Sequence, residues 1–355
     1  MTDERKAYYW LHTSGLSVRR QHALLEIYGS PSEIITSMDS EKLREFCGSA
    51  YDDMLRRSDE NALTEELREL RRKGLRLLVF GREGYPEKLI RSEEYPPLVL
   101  YCKGNTDLLS RPTLAVVGSR ASTDYGRRVA SEWAAELSKT FVIVSGHATG
   151  IDTYAVRGAL EAGGSAVCVL ACGHDRFDVP GFMTEAGDRL LLTGIYAPGR
   201  PANKFVFHER NRLISGLSDG VLIVEAGEKS GALITARAAA EQGKPLFAVP
   251  GSVKSSRSAG TNGLLRSGAV AATAPSDVLE DMGCDDTAYG SDAAVRLTGE
   301  RAVIAEMLRD GDAHFDDIVM KLGLSAGETA ELLGDMEMEG LVERKMMNNY
   351  SLLVR

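Results

Sequence analysis

Four short segments of the 355-residue chain bring glycine together with hydroxyl or cationic side chains. They are Gly118-Ser119-Arg120, Ser145-Gly146-His147-Ala148-Thr149-Gly150-Ile151-Asp152, Glu225-Ala226-Gly227-Glu228-Lys229-Ser230-Gly231 and Pro250-Gly251-Ser252. Glycine lets backbone N–H groups approach an anion, hydroxyls add donors, and a helix starting after the loop adds partial positive charge. The chemistry is phosphate binding. Left-handed turns at strand ends call for glycine by themselves, yet they do not explain why hydroxyls and Arg120 or Lys229 recur beside it. Neither common nucleotide signature is present. A dinucleotide loop needs G-x-G-x-x-G, and Gly118 is followed by no glycine before Gly126. A P-loop needs Gly before Lys-Ser, and Glu228 stands there instead.

A fifth segment narrows the ligand. Lys204-Phe205-Val206-Phe207-His208-Glu209-Arg210-Asn211-Arg212 places three cations, two rings and an amide in nine residues. Cations that hold a backbone and rings that stack bases are the ingredients of single-strand binding. The plainer alternative buries Phe205 or Phe207 and pairs Arg210 with Glu209. Catalysis finds less support. Ser145, His147 and Asp152 could be written as a triad, but they crowd one loop and the start of one helix. His147, His174 and His208 show no zinc spacing with one another or with Cys168 and Cys172, which read as core. Asp152 and Glu225 could bind a metal, yet the helix dipole accounts for Asp152. The expectation is no catalytic set, no metal and no cofactor.

Regular elements must hold these loops. Apolar runs at Leu114–Val117, Phe141–Val144, Ala166–Leu170, Val221–Val224 and Leu246–Val249 alternate with helical segments at Gly126–Lys139, Ile151–Ala162 and Gly231–Gln242. Uninterrupted apolar strands between helices predict a mainly parallel sheet covered on both faces, an α/β doubly wound fold. Ligands of such sheets bind beyond the carboxyl ends of the strands, where all four loops fall. Upstream, Leu75–Phe80 reads as a strand and residues 96–101 as extended chain. Residues 1–65 read as short helices, with a Thr13-Ser14-Gly15 turn between Tyr8–Leu11 and Val18–Tyr28. That module is either plain helical packing or a SAM- or helix-hairpin-helix-like element whose turn touches DNA. The expected boundaries are 1–65, 66–283, a linker over 284–296, and 297–355. The last segment reads as three helices, Glu300–Arg309, His314–Leu322 and Ala326–Gly340, with a hairpin after them: a winged helix.

Composition agrees with a globular chain, 43% hydrophobic and 26% charged. Five cysteines without two-residue spacing argue against a disulfide framework or a zinc ribbon. With no apolar run near 18 residues and no signal-like start, the expectation is a soluble cytoplasmic protein away from membranes. The net charge of −9 is unevenly spread. Residues 111–275 hold 18 Lys and Arg against 14 Asp and Glu, and residues 284–355 hold 7 against 15. The third helix of the winged module bears Glu328, Glu331, Asp335, Glu337 and Glu339 without a cation, so duplex groove reading by it is not expected.

Taken in order, Ala115-Val116-Val117-Gly118-Ser119-Arg120, Ser145-Gly146 with Gly150-Ile151-Asp152, Glu209-Arg210-Asn211-Arg212-Leu213-Ile214, Glu225-Ala226 with Lys229-Ser230-Gly231 and Ala248-Val249-Pro250-Gly251 resemble the DNA-processing protein A family (DprA, also called Smf). The resemblance runs from about Leu75 to Met282 and extends to both flanking modules. It implies an extended Rossmann-like fold that binds single-stranded DNA, homodimerises, and loads the recombinase RecA onto incoming DNA during natural transformation, without chemistry. The binding residues it implies are Gly118, Ser119, Arg120, Ser145, Gly146, Gly150, Lys204, Phe207, Arg210, Asn211, Arg212, Lys229 and Ser230. Thr149 stands where the family usually has a cation, His147 where it has an aliphatic residue, and Val156 where it has His. The rival expectations are a phosphoribohydrolase-like nucleotide enzyme, whose Pro-Gly-Gly-x-Gly-Thr loop the 225–231 segment lacks, and a protein adaptor with a vestigial site.

Overall fold

In the computed structural model, which describes residues 4–284, 299–309, 311–338, 341–345 and 348–352, the apolar runs become a nine-stranded sheet. Its strands are β1 (Arg76–Val79), β2 (Val99–Gly104), β3 (Thr113–Val117), β4 (Val142–Ser145), β5 (Ala166–Val169), β6 (Leu190–Gly194), β7 (Gly220–Ile223), β8 (Leu246–Ala248) and β9 (Val270–Ala271). They lie in the order β1-β2-β6-β5-β4-β3-β7-β8-β9. The first two run antiparallel to their neighbours, and every pair from β6 to β9 along the sheet is parallel. Strands β3, β4 and β5 are buried at every position, as a sheet with two covered faces requires.

Among the described residues six α-helices precede β1: α1 (Glu4–His12), α2 (Val18–Tyr28), α3 (Pro31–Thr36), α4 (Glu41–Cys47), α5 (Tyr51–Arg56) and α6 (Glu60–Arg72). Their buried Trp10, Leu24, Leu43 and Met54 share one core with Val99 and Tyr101 of β2. The Thr13–Gly15 turn is closed internally: the Thr13 hydroxyl donates to the Tyr9 carbonyl oxygen at 2.9 Å, and the Leu16 N–H to Ser14 at 3.2 Å. Then follow α7 (Glu87–Ser92), α8 (Asp124–Leu137), α9 (Ile151–Glu161), α10 (Gly181–Thr184), α11 (Lys204–Gly216), α12 (Ala232–Glu241), α13 (Ala259–Arg266) and α14 (Pro275–Asp281). From β3 the chain winds one way through β4, β5 and β6. Helix α11 then carries it back to β7, on the other side of β3. The sheet therefore has a switch point between β3 and β7, where a crevice opens beyond the strand ends.

The chain divides into two compact units, Met1–Ala288 and Tyr289–Arg355. The second has α15 (Glu300–Arg309), α16 (Phe315–Leu322) and α17 (Ala326–Met338), with a three-stranded sheet of β10 (Ala313–His314), β12 (Asn349–Leu352) and β11 (Val342–Arg344) in that order. Ile304, Ile318, Leu333, Met336 and Val342 form its core. This is a winged helix, and Glu328, Glu331 and Glu337 are exposed on α17. Glu339 and most of the expected linker lie outside the described residues. Among the described residues no helix is long and apolar enough to cross a membrane.

Candidate functional site

A cavity of about 650 Å³ sits at the switch point, lined by the loops after β3 and β7, the start of α11, and Ser256 and Arg257 from the loop after β8. Ala148 of the loop after β4 and Asp152 of the first turn of α9 line it too. Asp152 is buried, and the Gly118 and Ala148 N–H groups donate to it at 3.3 and 3.4 Å. The expectation for these glycine loops was a cradle of free amides for a ligand phosphate. In the structure two of these amides, those of Gly118 and Ala148, are already taken by the chain's own Asp152 carboxyl. Burial pushes the Asp152 carboxyl up from the ordinary carboxylate range, opposed by Arg210 and these N–H donors.

Arg210 is the second buried charge, 3% exposed, with Nη1 3.9 Å from Asp152. Its Nε and Nη1 have no hydrogen-bond partner. Burial pushes Arg210 down from its usual value, with Asp152 opposing, but a guanidinium stays charged at neutral pH. Room for it comes from Gly146: a Cβ there would lie 1.2 Å from Nη1. Gly150 serves a different need, at φ +94°, where a Cβ would come 2.3 Å from the Ser119 carbonyl oxygen and 2.6 Å from that of Arg120.

Phe207, one turn before Arg210 on α11, is half-buried at the cavity wall. The Arg120 guanidinium lies 4.5 Å from its ring centroid and that of Arg210 5.6 Å. Arg120 is exposed and makes no ion pair with a described residue, and Lys229 and Arg257 are exposed on the same cavity. Such cations are ready for an anion at little desolvation cost.

The remaining expected residues divide. Gly118, Ser119 and Ser230 line the cavity, and the Ser119 N–H donates to the Glu225 carbonyl oxygen at 2.7 Å, joining the first and third loops. Asn211 lines it too, holding the third loop by donating to the Gly231 carbonyl oxygen at 3.1 Å. The Lys204 side chain lies outside the described residues. Ser145 does not reach the cavity: its hydroxyl is buried and donates to the Val116 carbonyl oxygen at 2.8 Å. Nor does Arg212, which pairs with Glu93 at 2.7 Å and with Glu241. Two residues along a helix rotate a side chain by about 200°, so Arg210 and Arg212 cannot share a face.

Glu225, a metal candidate in the sequence, accepts from the Thr123 N–H at 2.8 Å and hydroxyl at 2.9 Å, tying the start of α8 to β7. Val156 is buried beside Leu160 and Met183. Among the described residues, no three His, Cys, Asp or Glu side chains converge as a metal site would need. Sequence reasoning missed Arg257 and the use of Asp152. The signal for the first was Lys254 and Arg257 set among serines after Pro250-Gly251; nothing local marked the second.

Residues 76–283 match the DNA recombination-mediator protein A family and residues 291–345 the DprA winged helix domain. DNA processing protein DprA of Streptococcus pneumoniae is 41% identical over 202 residues, 56% of this chain and 71% of that protein. The X-ray structure of DNA processing protein A from the same organism superposes with a TM-score of 0.67 at 32% identity, covering 79% of this chain and 99% of that one. DNA processing protein A of Helicobacter pylori, whose structure addresses its single-stranded DNA binding mode, superposes with a TM-score of 0.52 at 33% identity, over 59% and 95% of the chains. With more than half of its length matched as one block and the winged-helix match following it, the chain belongs to the DNA recombination-mediator protein A family, the DprA or Smf proteins.

Proposed function

We propose that the switch-point crevice binds single-stranded DNA, with Arg120, Lys229 and Arg257 on phosphates, Arg210 as the buried cation beneath them, and Phe207 stacking a base. The Phe207 ring carries this reading. It is a half-buried aromatic on the wall of a cationic cavity, and only an unpaired base offers a free face to it. Arg120 lies 4.5 Å from the ring centroid, so a base that stacks on Phe207 takes its place while the guanidinium moves to a phosphate. The family relationship and the single-strand binding of the Helicobacter pylori relative support the same ligand.

Binding proceeds without bond chemistry in this reading. The groups that could be written as a triad are turned apart: Ser145 bonds to Val116, His147 stacks its ring edge-to-face with Phe177, and Asp152 faces Arg210. A protein that coats a strand by its backbone can hand that strand to a recombinase. RecA loading during transformation, by a homodimer of this chain, is the role that the family relationship favours. Fluorescence anisotropy with labelled oligo-dT and a matched duplex, titrated in salt, tests the ligand. Preference for oligo-dT, with a log–log slope of about −0.7 for each phosphate contacted, is the expected result. Equal weak binding of both would exclude it. RecA filament growth on strands coated with a single-strand binding protein, with and without this chain, tests the role.

A further inference from the structure

Rings paired with guanidinium groups do not stop at the crevice rim. Next to Ala148, which lines the cavity, His147 holds a left-handed φ of 48° and sets its ring 5.5 Å from Phe177 and 6.0 Å from Phe182. The Arg157 guanidinium lies 4.9 Å from the Phe182 ring. One turn earlier on α9 is Tyr154, with Arg127 of α8 5.7 Å from its ring. Arg127 in turn donates to the Ser122 hydroxyl at 3.3 Å, two residues past Arg120. The two groups, one next to the 146–150 loop and one next to the 120–123 loop, are joined by the single helical turn between Tyr154 and Arg157 on α9.

We propose that this surface of α8 and α9 is a second stretch of the strand path, receiving the nucleotides that leave the crevice. The proposal rests on the single-strand reading of the crevice. A cavity of about 650 Å³ encloses a ligand of roughly drug size, about one or two nucleotides, so a longer strand must cross the rim. The path offers what such a strand needs: Tyr154 and Phe182 as half-buried rings, Arg127 and Arg157 as exposed cations. Core packing explains part of the pattern, because Phe177 and Phe182 lie against Val156, Leu160 and Met183. It does not explain why the exposed Arg157 guanidinium lies 4.9 Å from the Phe182 ring. Acidic groups are present as well. Asp124 pairs with Arg127 at 3.3 Å and Glu161 with Arg157 at 3.6 Å, and Asp178 and Glu185 are exposed near Phe182 in the sequence. Both arginine pairs are solvent-exposed and weak, so a phosphate can replace either carboxylate.

The test is oligonucleotide length. Anisotropy is measured with dT strands of about 5 and about 15 nucleotides, spanning the usual single-strand site sizes, for the parent chain, Phe182→Leu and Arg157→Gln. Leucine keeps an apolar contact with Met183 and removes the ring; thermal unfolding confirms that the variant is folded, and Arg157→Gln leaves the core untouched. Each variant is expected to weaken the long strand about fivefold to tenfold and leave the short strand unchanged. Unchanged affinity for the long strand, or an equal loss at both lengths, overturns the path while leaving the crevice in place. Failure of the parent to bind either strand overturns the crevice reading and the path with it.

Discussion

Arg210 and Arg212 lie two residues apart on α11 and serve opposite sides of it. Arg210 is buried over Gly146, faces Asp152, and keeps two donors unpartnered beside an open cavity. Arg212 is half-exposed in a seam, bonded to Glu93 and Glu241, while Gln242 bonds to both Glu93 and the Arg212 carbonyl oxygen. One guanidinium is held without being satisfied; the other is satisfied and has nothing left to offer. A count of cations in a motif is therefore not a count of contacts. The elements packed against each helix face decide which cation a ligand meets.

The comparison can be broken at several points. Asp152→Ala should act most strongly, because it leaves Arg210 buried without its counter-charge. A loss of about 3–5 kcal/mol in folding stability is expected by denaturant unfolding, and a loss below 1 kcal/mol would show that the pair is not what holds the 146–152 loop. Next comes Arg120→Ala, expected to weaken oligo-dT about tenfold, the value of one charge-assisted contact of ~1.5 kcal/mol. Its effect should be the same for dT, dA and mixed strands, since phosphate contacts carry no sequence information. Arg212→Gln should cost about 1–2 kcal/mol of stability, because the Glu241 pair is solvent-screened whereas Glu93 is largely buried, and should leave oligo-dT affinity unchanged. The smallest effect is expected from the winged helix. Its α17 presents Glu328, Glu331 and Glu337 to solvent, a surface that phosphates avoid. A chain ending at Gly283 should bind oligo-dT within about twofold of the parent; a large loss would give that module a part in strand binding.

Much of the architecture is legible in the sequence, and the reason is periodicity. Apolar runs such as Leu114–Val117 and Val221–Val224 fall in β3 and β7 because strands buried on both faces need uninterrupted aliphatics. β6 is less visible: Leu190-Leu191-Leu192 has no β-branched residue and fits a helix as well. The antiparallel pairing of β1 and β2, and the sharing of one core between β2 and the N-terminal helices, depend on contacts far apart in the chain. In the site, Gly118, Arg120, Lys229 and Ser230 are found from the rule that ligands sit beyond strand ends. Ser145, named by that rule, and Arg212, named with the Lys204–Arg212 segment, turn away from the cavity, because neither a loop position nor a local count of cations says which way a side chain turns. Asp152 is the instructive miss. The helix dipole is reason enough for an acid at that position, and only the approach of Arg210 across Gly146 shows its further use.

The most direct test of the central claim is the salt dependence of oligo-dT affinity, measured side by side for the parent, Arg120→Ala and Arg212→Gln. The crevice account predicts parallel log–log lines for the parent and Arg212→Gln, and a line shallower by about 0.7 for Arg120→Ala. Three parallel lines would take Arg120 off the phosphates, and a shallower slope for Arg212→Gln instead would place the strand on the other side of α11; either result contradicts it.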